Sequence, residues 1–173
     1  GLVVELHPED IPATGIRVED PTSPLALMQW CEAFEHKSYL AANRSLRAPA
    51  QRMTDFVARR HSSTLPSSSY TMGLTSSDLH EWMPDFITRR LSAGFRAFDR
   101  TTRGFLTGEA QLIGVESRTS SPVRIPRDRI TYAHPVVAGL YPEGEGAGFA
   151  GGIVSAAIDG ENAAQQIALA LGR

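Results

Sequence analysis

Residues 136–152 read VVAGLYPEGEGAGFAGG, and this stretch decides which fold the chain can adopt. The apolar residues at its start predict a strand over residues 135–141. The glycines that follow carry no side chains, which lets a backbone approach a phosphate or an electron-rich ring. A helix predicted over residues 151–171 would then offer unpaired N–H groups at its N-terminus. We therefore expect a strand, a glycine-rich turn and a helix, in that order.

Gly146, Gly148 and Gly151 match the spacing G-x-G-x-x-G, a signal that is weak by itself. A dinucleotide-binding fold also needs a second strand after the helix, with an acidic residue about twenty positions further on. Because Arg173 is the last residue, there is no room for that strand, and the ordinary NAD-binding fold is not expected. Two interpretations of the turn stay open. It contacts a cofactor, or it only lets the helix pack closely on a sheet.

The chain before this stretch is predicted to contain helices and then strands. Apolar residues at helical spacing follow Ser23, a candidate N-cap, and again follow Pro49. Thr75 with Asp78 three residues later is a candidate capping arrangement for a third helix, which Pro84 restarts or kinks. Short strands are predicted over residues 2–6, 111–116 and 123–125. The expected fold class is α+β, with mixed α and β layers.

A polar loop lies between two apolar pieces at residues 114–125, which read GVESRTSSPVRI. It places hydroxyl groups and guanidinium groups together, which suits a polar ligand. The candidate residues are Arg118, Thr119, Ser120 and Ser121. A solvated hairpin is the alternative interpretation. No histidine or aspartate is tied to these serines by a recognisable spacing, so the sequence assigns no catalytic residue.

The composition excludes several classes of partner. A net charge of −2 creates no field that would gather nucleic acid or an anionic membrane surface. Cys31 is the only cysteine, and the histidines show no metal-binding spacing, so no metal site is expected. No apolar stretch approaches the roughly 20 residues of a membrane span. We expect a soluble cytoplasmic protein, in which His134 alone among the histidines is placed to reach a cofactor.

Four segments of the chain resemble a known family. They are residues 48–52 (APAQR), 65–70 (LPSSSY), 116–125 (ESRTSSPVRI) and 139–153 (GLYPEGEGAGFAGGI). All four look like the uncharacterised NAD(FAD)-utilising dehydrogenases, which are predicted FAD-dependent flavoproteins of bacteria. The resemblance spans most of the chain and keeps the order of the segments.

The resemblance implies a domain organisation. In such proteins an FAD-binding domain begins with an N-terminal G-x-G-x-x-G, a substrate-side domain is inserted, and the chain then returns to the FAD domain. Residues 1–134 would be part of the inserted domain, and residues 135–173 would be the returning C-terminal segment. The FAD domain itself would be absent from this chain and would be its natural partner. The chain would then be inactive in isolation.

The resemblance also implies a set of cofactor-binding residues. They are Gly144, Glu145, Gly146, Gly148, Gly151, Gly152 and Ile153. Glu145 would hold ribityl hydroxyls of FAD, and the N–H groups of Gly152 and Ile153 would face the pyrimidine side of the flavin ring. There the helix dipole stabilises negative charge on the reduced ring. The loop from Arg118 to Ser121 would orient an unknown small-molecule substrate or the ring, with NAD(P)H as the expected electron donor.

One position departs from the family pattern, and one alternative function competes with it. Glu143 stands where the family is expected to have cysteine, so a redox role of that cysteine could not be shared.

The alternative function is a non-catalytic interaction module in which the turn is structural and Arg118 and Arg124 bind an acidic partner. Because the FAD domain would be missing, the orphaned apolar tail is expected to be displaced or to pair with a second copy as a homodimer.

Overall fold

The computed structural model describes residues 2–172, and the chain divides into two compact units, Gly1–Ser117 and Arg118–Arg173. The first unit contains a 3₁₀ helix and seven regular elements among its described residues. These are the 3₁₀ helix Pro8–Thr14, α1 Ala26–Ala41, β1 Ala48–Arg52, α2 Met53–Ala58, β2 Leu74–Ser76, α3 Leu79–Trp82, α4 Asp85–Thr101 and β3 Gln111–Ile113. The second unit contributes α5, Ile153–Ala170. Helices with a small mixed sheet make the fold α+β, as the sequence predicts.

The sheet of the first unit has the strand order β2-β1-β3. β1 runs parallel to β2, with Ala48 opposite Leu74, and antiparallel to β3, with Ala50 opposite Ile113. The helix predicted after Pro49 forms as α2, but Pro49 does not open it, because Pro49 lies inside the central strand. Its carbonyl accepts a hydrogen bond of 2.8 Å from the N–H of Gly114, just beyond the paired residues of β3. The missing proline N–H is therefore tolerated at the end of the ladder.

Two clusters of buried side chains form the core of this unit. The first consists of Ile11, Ile16, Ala26, Trp30, Cys31, Phe34 and Ile87, and the second of Met53, Phe56, Leu79 and Phe95. Trp30 and Phe34 lie 5.0 Å apart between ring centroids, and the indole N–H of Trp30 donates to Thr14 Oγ1 at 2.9 Å. The polar end of the buried tryptophan is thereby satisfied. These aromatic residues are core residues, as their helical spacing indicates.

The helix starts are partly as predicted. α1 begins at Ala26, three residues after Ser23, because Ser23 Oγ accepts the N–H of Leu25 and closes a turn before the helix. Thr75 does not cap a helix but lies in β2, and the carboxylate of Asp78 accepts a hydrogen bond from His61 Nδ1 at 2.9 Å. The restart at Pro84 is confirmed, since α4 begins at the next residue. The expected strand over residues 2–6 does not form.

The second unit has one helix among its described residues and no strand. The helix predicted over residues 151–171 is confirmed as α5, but it does not pack on a sheet within this unit. The strands predicted over residues 123–125 and 135–141 are wrong. In the latter, the N–H of His134 donates to the carbonyl of Leu140 and Gly139 has a φ of 77°, so the segment turns back on itself. Val136 is 85% exposed instead of lying in a sheet.

Candidate functional site

The second unit brings the two candidate motifs of the sequence together. We refer to residues 118–125 as the serine–arginine loop and to residues 142–149 as the glycine turn. Ser121 Oγ lies 3.2 Å from the carbonyl oxygen of Gly146 and donates to it. The N–H of Ile125 donates to the carbonyl of Ala147 at 3.1 Å. Two motifs about twenty residues apart in the sequence are thus neighbours in one compact unit.

Gly148 is the position where this contact leaves no room for a side chain. Its φ is +83°, and a Cβ built there would lie 2.6 Å from the carbonyl oxygen of Val123. Arg124 closes over the same residue, donating from Nε and Nη2 to the carbonyl of Gly148 at 3.0 and 2.8 Å. Glycine is therefore required at position 148 by both its conformation and the close approach of the loop.

The glycine turn satisfies part of its own backbone. The N–H of Gly148 donates to the carbonyl of Glu145 at 2.9 Å, and the N–H of Phe149 donates to the carbonyl of Gly144 at 3.0 Å. Gly144 also has a positive φ, of 68°. These bonds make a compact reverse turn with the Gly146 backbone at its exposed outer side.

The start of α5 follows directly after the turn. The N–H of Gly152 donates to Ser155 Oγ at 3.1 Å. One of the two N–H groups expected to face a flavin therefore already has a hydrogen-bond partner. Ile153 is the first helical residue, so its N–H has no partner within the helix. A Cβ added at Gly146 or Gly151 would meet no atom within 4 Å beyond its chain neighbours. The backbone on this side of the unit is thus open to a planar group.

The other predicted residues differ in exposure. Arg118, Thr119 and Ser120 are exposed, whereas Ser121 is half-buried and contacts the glycine turn. Glu145, within the turn, is exposed. His134 is committed to its own turn, because its Nδ1 accepts the N–H groups of Val136 and Val137 at 3.1 and 2.9 Å.

Glu143, at the position expected to be cysteine, lies beside α5. A Cβ at Gly160 would be 3.7 Å from its Oε2 atom. The charge of Glu143 also helps to raise the pKa of the Arg127 guanidinium, as the smallest of several contributions led by the hydrogen bond to Asp159. The carboxylate therefore faces a basic group and not only solvent.

The sequence did not predict the ion pair between Arg127 and Asp159. This pair connects the segment after the serine–arginine loop, the glycine turn and α5. Arg127 Nη2 lies 2.6 Å from Asp159 Oδ1 and Arg127 Nη1 lies 2.8 Å from Asp159 Oδ2, with the two side chains only 9% and 12% exposed. The hydrogen bond from Arg127, together with that from the N–H of Gly144, lowers the pKa of Asp159 against the effect of burial. Asp159 interrupts a run of small and apolar residues in α5, and that interruption was the available signal. Nothing in the sequence around Arg127 indicates its partner.

Two further observations concern metal ligands and membrane-spanning helices. No group of three His, Cys, Asp or Glu side chains within residues 2–172 is placed to hold a metal ion. Over the same residues, no helix combines the length and apolar character needed to cross a membrane.

Comparison with known proteins places the chain in a family. The family model "FAD-dependent protein, C-terminal domain-like" matches residues 1–119, which is the first compact unit and the two residues after it. The chain belongs to this FAD-dependent protein C-terminal domain-like family. The expected resemblance to the C-terminal portion of an FAD-dependent flavoprotein is thereby confirmed at the level of the family.

A relative of this FAD-dependent family member extends the similarity into the second unit. An uncharacterized protein of Clostridium beijerinckii is 39% identical over 168 residues, which cover 96% of this chain. An alignment of that length includes most of the second unit and hence the glycine turn. The chain spans only 30% of the length of that relative.

Proposed function

We propose that the chain is the C-terminal part of an FAD-dependent oxidoreductase and supplies contacts to the substrate and to the flavin ring. The observation that carries this proposal is the packing of the serine–arginine loop against the glycine turn at the start of α5. This unit directly follows a domain of an FAD-dependent family. A substrate-binding loop and a cofactor-binding turn would need this proximity in order to bring the two reactants together.

The residues present fit a flavin ring at the open side of the turn. Gly146 and Gly151 leave the backbone accessible, and the N–H of Ile153 points from the first turn of α5. A helix N-terminus favours negative charge, which the reduced flavin acquires. Glu145 is exposed next to this backbone and would accept hydrogen bonds from ribityl hydroxyls. When bound, FAD would supply the electron-transfer chemistry, and this chain would bind and orient it.

The partner that we propose for the second unit is the remainder of the FAD domain in the same longer protein. Five large apolar residues of α5 and its end are exposed: Ile153, Val154, Ile158, Leu169 and Leu171. Exposed apolar residues in this number on one helix are usually covered in a stable protein. The relative from Clostridium beijerinckii is more than three times as long as the matched part, so similar proteins have further chain that could cover these residues.

The competing proposal of an interaction module is supported less well. It requires Arg118 and Arg124 to be available to an acidic partner. Arg124 instead directs two of its nitrogens to the carbonyl of Gly148 and lies over the ring of Phe149, 4.8 Å from its centroid. The geometry thus uses this arginine to hold the glycine turn.

The cofactor content of the full-length protein tests the proposed function. We expect protein purified from its natural host to be yellow and to release FAD on heating, identified by absorbance and mass. Residues 1–117 purified alone are the control and should carry no flavin, because both the glycine turn and the rest of the proposed FAD domain are missing. Full-length protein that contains no flavin and takes up none on incubation with FAD would contradict the proposal.

A further inference from the structure

We propose that Arg127 and Asp159 are positioning residues, which set the backbone of the glycine turn in the conformation that receives the flavin. The proposal rests on the proposed function of the turn. Neither residue is part of the predicted cofactor set, and neither is expected to touch the flavin. Their effect would pass through the backbone that they hold.

Asp159 fixes the beginning of the glycine turn to α5. Its Oδ2 atom accepts a hydrogen bond of 2.8 Å from the N–H of Gly144, in addition to the two bonds from Arg127. Asp159 lies in the second turn of α5, so the carboxylate reaches from the helix to the turn that precedes it. A carboxylate that accepts from a backbone N–H and a guanidinium forms strong, directional bonds. The start of the turn is therefore held at a fixed place relative to the helix N-terminus.

Arg127 holds both ends of the same turn. Its Nη1 atom donates to the carbonyl of Pro142 at 2.8 Å, before the first glycine. Its guanidinium carbon lies 3.7 Å from the ring centroid of Phe149, after the last glycine, and 4.1 Å from that of Tyr132. Only a planar cation can stack on these rings while it forms a two-point contact with a carboxylate. Lysine at this position could form one bond but not the full set.

Burial makes this pair a fixed part of the unit. The two side chains are about nine-tenths buried, so water and salt screen their attraction little. Removal of one partner would leave the other as an uncompensated charge away from solvent. The charged groups that face the pair are each other and the carboxylate of Glu143. The Asp159 carboxylate accepts hydrogen bonds from Arg127 and from the N–H of Gly144, which are contacts that hold the turn in position.

Variants of the full-length protein test the proposal. In Asp159→Asn, loss of the ionic bonds frees Gly144, and we expect FAD affinity to fall at least about tenfold, the effect of one lost charged hydrogen bond. The visible absorption band of bound flavin should also shift at saturating FAD. Arg127→Lys keeps the positive charge but loses the two-point contact of the guanidinium group. It should change FAD affinity and the flavin absorption band in the same direction, but by less. The matched control is Asp128→Asn, because the exposed carboxylate of Asp128 accepts hydrogen bonds from the neighbouring Ile130 and Thr131 and makes no hydrogen bond with the glycine turn.

The outcomes separate this proposal from the function on which it rests. If Asp159→Asn and Arg127→Lys lower the melting temperature but leave FAD affinity and the flavin spectrum as in Asp128→Asn, the pair is only structural and the proposal is overturned. If Asp159→Asn does not fold, the milder Arg127→Lys variant decides by the same readouts. A wild-type protein without FAD would instead contradict the proposed function itself, and the positioning role with it.

Discussion

At the scale of single residues, the second unit depends on one glycine and one ion pair. Gly148 admits the carbonyl of Val123, and the bidentate pair of Arg127 with Asp159 ties the turn to the helix. The sequence indicates the glycine, because its spacing is that of a phosphate- or ring-binding turn. It does not indicate the pair, because residues 32 positions apart meet only when the whole unit folds.

Gly148→Val is expected to destabilise the chain strongly. The positive φ is unfavourable for a β-branched residue, and its Cβ would collide with Val123 O at 2.6 Å. We expect a loss of at least about 1–3 kcal/mol in the free energy of unfolding. Gly151→Val is the matched control, since its Cβ meets open space and its φ is not positive. Urea unfolding of both variants measures the difference, and equal midpoints would contradict the tight-contact interpretation of Gly148.

The Arg127–Asp159 pair should make stability depend on acid. The pKa of Asp159 is lowered in the folded state, mainly by the hydrogen bond from Arg127. A carboxyl whose folded pKa lies below its unfolded value of about 3.9 contributes stability above that value and loses it as pH falls through the folded pKa. Below about pH 4, unfolding free energy should therefore fall more steeply in wild type than in Asp159→Asn. Chemical denaturation at a series of pH values measures this difference. If the unfolding free energy depends on pH equally in wild type and in Asp159→Asn, the pair does not contribute to acid stability.

At the scale of elements, the helices were easier to predict than the strands. α4 begins after Pro84 and α5 follows the glycines as their patterns indicate, because both signals are local. β1 was missed since Pro49 favours a helix start, and only the neighbouring strands show that this proline lies at the end of a ladder. Residues 135–141 are apolar enough for a strand, but an apolar run does not become one without a sheet to join. The glycine turn was located correctly, and its contacts with residues 121–125 required the structure.

The exposed apolar residues of α5 predict self-association of the isolated chain. Without the rest of an FAD domain, its apolar residues should drive concentration-dependent association, which light scattering would detect. Val154→Lys, at a residue 71% exposed, should weaken the association. Gln165→Lys, also exposed on α5, is the control. A monomer at every concentration, whose stability drops sharply on truncation after Ile130, would show that the tail belongs to the chain's own core.

At the scale of the whole molecule, the chain is a family domain followed by a smaller unit. The family match covers the first unit, and the second carries the motifs that we assign to the flavin. The chain spans 30% of its Clostridium beijerinckii relative. An FAD molecule also needs a pyrophosphate-binding turn, which we propose lies in the rest of the parent protein. The ring contacts and the phosphate contacts would thus come from different parts of the parent protein.

The isolated chain is accordingly expected to bind FAD weakly or not at all. Purified chain should be colourless, and a fluorescence titration should show no saturation in the micromolar range. The proposed ring contacts alone would supply too little of the binding energy, because phosphate recognition would come from the rest of the proposed FAD domain. Sub-micromolar affinity for FAD would show that the chain holds a complete site, against this expectation.

Hydrogen–deuterium exchange on the full-length protein, with and without FAD, tests the assignment of the glycine turn most directly. We predict that bound FAD slows amide exchange in peptides covering residues 144–153, where the backbone at Gly146, Gly151 and Ile153 is open. Peptides from the exposed loop at residues 67–72 of the first unit are the internal control and should exchange equally in both states. FAD that binds stoichiometrically while exchange over residues 144–153 stays unchanged would contradict the account.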